Sequence, residues 1–218
     1  MAFIAIATAT AIGAYLLGSV SFAVILSKLY LKKDVRKMGS GNAGATNVLR
    51  NAGVVPALLT FLGDGLKGFL ASFFGKMIFE YLSTKTDAFW AEPIYGAYLC
   101  GLCCMLGHVF PIFFGFKGGK GVATSVGIYI ACCPISMAIG IGIFVLGVLI
   151  TRYVSLTSII GAVVVVSTSI IFYDELAPVW PVVILSVAMG IVVISKHKDN
   201  IKRLLNGTEP KIGKGGKK

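Results

Sequence analysis

Carboxylates are scarce in this chain. Nine aspartates and glutamates stand against twenty lysines and arginines in 218 residues, and only 13% of all residues are charged. With 56% hydrophobic residues and a mean hydropathy of +0.88, that low charge excludes an ordinary soluble domain. Around the polar segments described below, the carboxylates reduce to Asp34, Asp64, Asp199 and Glu209. These cannot supply a pair of magnesium ions, which argues against metal-dependent phosphotransfer, and no metal site or cofactor is expected. No Gly-x-Ser-x-Gly elbow is present, so a serine hydrolase of that type is excluded. The five cysteines all lie in apolar stretches, and the one Cys-x-x-Cys spacing, Cys100 to Cys103, has no second pair or polar ligands beside it. They read as small buried hydrophobes.

Long apolar runs dominate what is there. About 20 apolar residues span a bilayer, and the runs at 3–29, 54–81, 94–114, 154–173 and 179–195 qualify. The first lacks a basic leader segment and is long, so it reads as a transmembrane span and not a signal peptide. Asp64, Lys67 and Lys76 interrupt the second, which predicts a kinked or partly hydrated membrane entry. The stretch 122–150 is too long for one straight crossing at 1.5 Å per residue and carries a breaker at Cys132-Cys133-Pro134. Two short helices there give about seven transmembrane helices in an all-α integral membrane protein, with residues 1–218 as a single domain. Every polar segment and Arg152 then share one face. The Lys and Arg bias makes that face cytoplasmic and puts the N-terminus outside. The opposite face collects Glu80, Asp87, Glu92, Asp174 and Glu175, with Lys85 among them. The net charge of +11 resides in short loops between spans, which fits membrane lipid headgroups and not nucleic acid. From Asn206 onward the Gly- and Lys-rich end reads as a mobile basic tail.

Three polar segments carry the chemistry. In the first, Gly39, Gly41 and Gly44 allow backbone N–H groups to converge on an anion, while Ser40, Asn42, Thr46 and Asn47 add neutral donors and Arg50 a bidentate fork. The competing reading is a polar turn with Asn47 or Asn51 capping the next helix. In the second, Lys117 and Lys120 flank Gly118, Gly119 and Gly121 ahead of a helix expected to start near Val122, where its dipole favours an anion near Thr124. It is not a nucleotide P-loop, because Gly121 follows Lys120 where Ser or Thr is required. His108 sits at the end of the preceding span, where structural hydrogen bonding competes with catalysis. In the third, His197, Asn200 and Arg203 are spaced by three and share a helical face, with Ile201, Leu204 and Leu205 turned to the bilayer surface. His197 is the strongest acid–base candidate, and a plain basic surface helix is the alternative. Glycines with lysines suit phosphorylated ligands. A phosphate-ester permease would need a polar path through spans that are almost wholly apolar.

The segments GSGNAGATNVLR at 39–50, GHVFPIFFGFKGGKGVAT at 107–124 and KHKDNIKRLLNGTEPK at 196–211 resemble, in order, the signatures of the bacterial acyl-phosphate-dependent glycerol-3-phosphate acyltransferase family. Asp64-Gly65-Leu66-Lys67-Gly68 fits the same family. Neither histidine has an aspartate five residues on, so the coenzyme A-dependent glycerolipid enzymes are not resembled. The resemblance implies transfer of an acyl group from acyl phosphate to the 1-hydroxyl of sn-glycerol 3-phosphate at a bacterial inner membrane, yielding lysophosphatidic acid and phosphate. An acyl-phosphate-producing enzyme upstream is implied with it. On that basis the acyl-phosphate phosphate is expected against the first segment, Asn42 and Thr46. Ser40, Arg50, Lys120, His197 and Asn200 are expected to hold glycerol 3-phosphate, with Lys117 nearby and Ser155 or Ser158 adding a hydroxyl. The proton acceptor is either His197 or a substrate phosphate.

Overall fold

The computed structural model describes residues 2–86, 88–173 and 177–213, and it is all-helical within them. Ten helices follow one another: α1 (Ala2–Gly18), α2 (Phe22–Leu31), α3 (Ala45–Ala52), α4 (Val54–Ser83), α5 (Pro93–Val109), α6 (Val122–Cys132), α7 (Pro134–Thr151), α8 (Val154–Ile171), α9 (Trp180–Ser195) and α10 (Lys198–Leu205). Asp87, Asp174, Glu175 and the last lysines, all used in the charge reading above, lie outside the described residues. Five stretches are long and apolar enough to cross a membrane: 2–31, 54–83, 93–114, 134–151 and 154–171. A sixth arises if α9 and α10, bent by 56°, count together. The remaining expected crossing is α6, whose 11 residues span only about 16 Å.

The break at Cys133 falls where the sequence placed it, because Pro134 cannot donate to the preceding turn. Its halves are unequal, however: α6 is short and α7, at 18 residues, is a full span. The first apolar run is also divided. Gly18 lies so close to the Cys104 carbonyl that a Cβ there would collide with it, and α1 ends at this contact. Lys67 of α4 donates to the two freed carbonyls, Gly18 O at 2.8 Å and Val20 O at 2.6 Å. A broken helix inside a membrane needs such a partner.

That same lysine explains why α4 departs from the expected kink. It runs unbroken for 30 residues, with Asp64 and Lys67 1% and 2% exposed and 3.0 Å apart. Close backbone packing holds α4 between its neighbours. Cβ atoms at Gly75 and Gly96 would strike each other's strand of the α4–α5 contact, and one at Gly127 of α6 would collide with Gly65 O of α4. Small residues are the usual means of bringing helices together in lipid, where burial of apolar surface supplies no drive. Tyr98, Met105, Ile128, Met189 and Val193 fill the centre between α5, α6 and α9.

Candidate active site

The three polar segments converge on one cavity of about 630 Å³. Its polar wall includes Ser40, Gly41, Asn42, Gly44, Thr46 and Arg50 from the first segment, Lys120 and Gly121 from the second, and Lys196, His197, Asn200 and Arg203 from the third. Ser155 and Ser158 close one side from α8. The other wall is apolar, formed by Phe61 of α4, Val122 and Ala123 of α6, Phe144 of α7 and Val154. Asp64, ten residues along α4, is also on the lining, so the cavity reaches about 15 Å down that helix.

Asn47 organises the first segment without being a free donor to a ligand. Its Oδ1 accepts from Ser40 N at 3.1 Å, and its Nδ2 shares hydrogens among the carbonyls of Val35, Met38 and Asn42. The convergent glycine amides are partly spent too, since Gly41 N donates to Met38 O. The available amides lie further on. α3 begins at Ala45 with Gly44 as its cap residue, so neither Asn47 nor Asn51 caps it, and the first-turn N–H groups of Ala45 and Thr46 have no helical acceptor. Arg36, which sequence reasoning passed over, ties this segment to the second. It pairs with Asp34 at 2.8 Å and donates to Phe114 O and Lys117 O. That pairing, chiefly the hydrogen bond between the side chains, holds the Asp34 carboxyl below its ordinary range.

In the second segment the structure corrects four expected residues. Lys117, Gly118, Gly119 and Thr124 do not line the cavity. Gly118 and Gly119 donate their amides to Val109 O and His108 O, folding the chain back on the end of α5. A Cβ at Gly119 would collide with the His108 ring, so this glycine serves close packing. Lys117 is exposed on the outer side of the loop, and Thr124 turns away from the cavity into α4, fully buried where its carbonyl meets Gly68. What reaches the cavity is Lys120 together with the start of α6, capped by Gly121 at φ 86°. Only glycine adopts that φ without strain.

The third segment gains a residue the sequence consigned to a mobile tail. Glu209 is 8% exposed and accepts from Ser155 Oγ at 2.6 Å, Asn200 Nδ2 at 2.7 Å and Arg203 Nε at 2.7 Å. Ile212 N also donates to Arg152 O at 2.9 Å, so the described part of the tail, through Gly213, folds back onto the bundle. Three donors outweigh the cost of burial, and the Glu209 carboxyl is held below its usual range. Its only sequence signal is a lone acid in a basic segment. Asn200 then presents Oδ1 to Lys120 Nζ in a very short contact.

Burial shifts the two titratable groups of greatest interest. Lys120 is pushed down to about 8, mainly by desolvation, with Arg203 and Arg50 adding repulsion against the pull of Glu209 and Asp199. His197, 2% exposed, is pushed down to about 4, again by desolvation first and then by the Lys120 charge. Its Nδ1 lies 2.8 Å from Val193 O. A neutral ring must donate there, which leaves Nε2 as an acceptor. Lys196 also borders the cavity and stacks over Phe110 at 4.9 Å; desolvation lowers its pKa. Among the described residues no three His, Cys, Asp or Glu side chains group together as metal ligands would.

Comparison with known proteins places this cavity. Residues 8–207 match the family model for glycerol-3-phosphate acyltransferase. The chain is 39% identical over 203 residues to glycerol-3-phosphate acyltransferase 2 of Bacillus anthracis, covering 93% of this chain and 97% of that one. It is 42% identical over 207 residues to the glycerol-3-phosphate acyltransferase of Thermoanaerobacter pseudethanolicus, covering 95% and 96%. Crystal structures of PlsY, an integral membrane glycerol 3-phosphate acyltransferase, superimpose with TM-scores of 0.83 for its glycerol 3-phosphate form and 0.80 for its lysophosphatidic acid form. Both are 36% identical and cover 95% of this chain, with 96% and 95% of their own length matched. A full-length match of sequence, architecture and cavity-bearing segments makes this chain a multi-pass membrane protein belonging to the glycerol-3-phosphate acyltransferase family.

Proposed function

We propose that the protein transfers a fatty acyl group from acyl phosphate to the 1-hydroxyl of sn-glycerol 3-phosphate, releasing lysophosphatidic acid and phosphate. The observation that carries this reading is the division of one cavity into a cationic wall and an apolar wall. Acyl phosphate has the same division. Its phosphate fits the first turn of α3 beside Asn42 and Thr46. Its chain follows Phe61, Val122 and Phe144, where α6 forms the floor between α4 and α7, and passes toward lipid. Glycerol 3-phosphate fits Ser40, Arg50, Lys120, Asn200 and Arg203, with Glu209 fixing the last two. The site faces the cytoplasm of a bacterial inner membrane, with the N-terminus outside, and an enzyme making acyl phosphate supplies the donor.

The mixed anhydride already contains a good leaving group, so positioning and charge stabilisation supply most of the rate. The glycerol oxygen bonds to the acyl carbon, the bond from that carbon to the phosphate oxygen breaks, and the hydroxyl proton must find a base. A histidine at about 4 in the empty cavity is a weak one. A phosphate monoester titrates near 6. His197 Nε2 therefore accepts the hydroxyl hydrogen bond and aims the oxygen, while the proton ends on the departing phosphate, which leaves as hydrogen phosphate.

Purified protein incubated with palmitoyl phosphate and glycerol 3-phosphate is expected to form lysophosphatidate and phosphate in equal amounts, with or without EDTA. No lysophosphatidate overturns the reaction; loss on chelation overturns its metal-free course. His197→Ala is expected to raise KM for glycerol 3-phosphate while kcat is largely retained. A kcat loss beyond about a hundredfold, the range of general-base removal, assigns the proton to His197 instead.

A further inference from the structure

Three buried ionisable side chains lie beside the substrate groups without belonging to them. Asp64, Lys67 and His108 are 1%, 2% and 5% exposed, on adjacent helices α4 and α5. Ionisable groups at membrane depth are costly and persist where something needs them. Lys67 is accounted for by the α1–α2 break, whose carbonyls it satisfies. Asp64 and His108 are not, and both border the cavity.

Asp64 Oδ1 lies 3.0 Å from Lys67 Nζ and 3.4 Å from His108 Nδ1, yet neither contact is an aligned hydrogen bond. The carboxylate is thus held by charge between two nitrogens, one anchored to the helix break and the other free to orient a ring. The far side of that ring is where Gly119 packs. A Cβ on Gly119 would collide with His108 Nε2 and lie 2.7 Å from Ala43 O, so the ring, the glycine loop and the first segment meet at this point. Gly119 N also donates to His108 O. The next residue is Lys120, the cation that reaches Asn200.

We infer that Asp64 and His108 are positioning residues that act through Gly119 to set Lys120 against the acceptor phosphate. The path is continuous: helix break, Lys67, Asp64, the His108 ring, Gly119, Lys120. Tilting the ring displaces the loop that carries the lysine. His108 itself is covered by Gly119 on its Nε2 side and does not touch substrate. The inference rests on the reading of Lys120 as a ligand of glycerol 3-phosphate, and it does not depend on the acyl donor.

The test therefore measures glycerol 3-phosphate binding by calorimetry on full-length protein in detergent, where no donor is present. Asp64→Asn and Gly119→Ala are each expected to weaken binding about tenfold. His108→Asn keeps a donor toward Asp64 but removes the ring that Gly119 meets, and Gly119→Ala placed in that background is expected to weaken binding no further. With palmitoyl phosphate as donor, the KM for the donor should stay within twofold in all of them. Binding by Asp64→Asn equal to that of the parent protein overturns the inference. So do losses at 108 and 119 that multiply in the double variant. A uniform loss of both substrates with a lowered thermal midpoint does so as well, since it marks a purely structural contact. If no variant yields acyl transfer while calorimetry behaves as expected, the proposed donor has failed and the positioning network stands.

Discussion

Two lysines enter the bundle from the same side, and they are treated in opposite ways. Lys67 is sealed at the junction of α1, α2 and α4, spending its ammonium on Gly18 O, Val20 O and Asp64. Lys120 sits at the cavity wall with one protein acceptor, Asn200 Oδ1, and with arginines nearby. An ammonium has three donors. Where all are engaged by the fold, the cation is part of the fold; where some are left over in a cavity, a ligand is expected to take them. Counting unspent donors thus separates structural from functional charge more sharply than burial, because both lysines are largely buried.

Breaking the sealed lysine gives the largest effect. Lys67→Met leaves Asp64 without its counter-charge and two broken-helix carbonyls without a donor. Removing one member of a buried pair costs about 3–5 kcal/mol, enough to expect loss of folded protein in detergent. Fluorescence-detected size exclusion after mild heating reads this directly. A variant as heat-stable as the parent would mean that water replaces the ammonium at the break.

Breaking the unspent lysine is expected to do the reverse. Lys120→Met should lower kcat/KM for glycerol 3-phosphate by about a hundredfold, in line with a charge-assisted hydrogen bond of about 1.5–3 kcal/mol. The thermal midpoint should hold or rise, because a desolvated charge has been removed. A fall in stability comparable to that of Lys67→Met would erase the distinction between the two sites.

The same distinction explains what the sequence could and could not reveal. The cavity-forming segments were legible because glycines, lysines and amides in an apolar chain have few other uses, and Pro134 marked the α6–α7 break. The α1–α2 break was not legible: Gly18-Ser19-Val20-Ser21 is apolar enough to continue a span, and its stabilising partner lies 47 residues or more away, on another helix. Glu209 was missed for a similar reason. Its three donors come from α8 and α10 and exist only once the tail has folded back. Gly118 and Gly119 carried the right composition for an anion loop but spend their amides on α5, a choice set by the position of His108. Local composition disclosed which segments bind; tertiary contacts decided which atoms within them remain free.

The smallest expected effect is one of pH, and its sign separates binding from stability. Lys120, pushed down to about 8 by burial, loses its charge as pH rises through that value, well before an ordinary lysine at 10.5. The KM for glycerol 3-phosphate should therefore climb from about pH 8 upward. Stability should move the other way. Because the folded pKa lies below the unfolded one, the unfolded chain holds more protons between about 8 and 10.5, and this group favours the folded state increasingly as pH rises through that window. Weakening affinity alongside undiminished thermal stability cannot then be attributed to unfolding. In Lys120→Arg the guanidinium keeps its charge, so whatever affinity the variant retains should stay level across pH 8 to 9.5. A KM that climbs equally in the arginine variant would assign the titration to another group and leave Lys120 as a neutral donor.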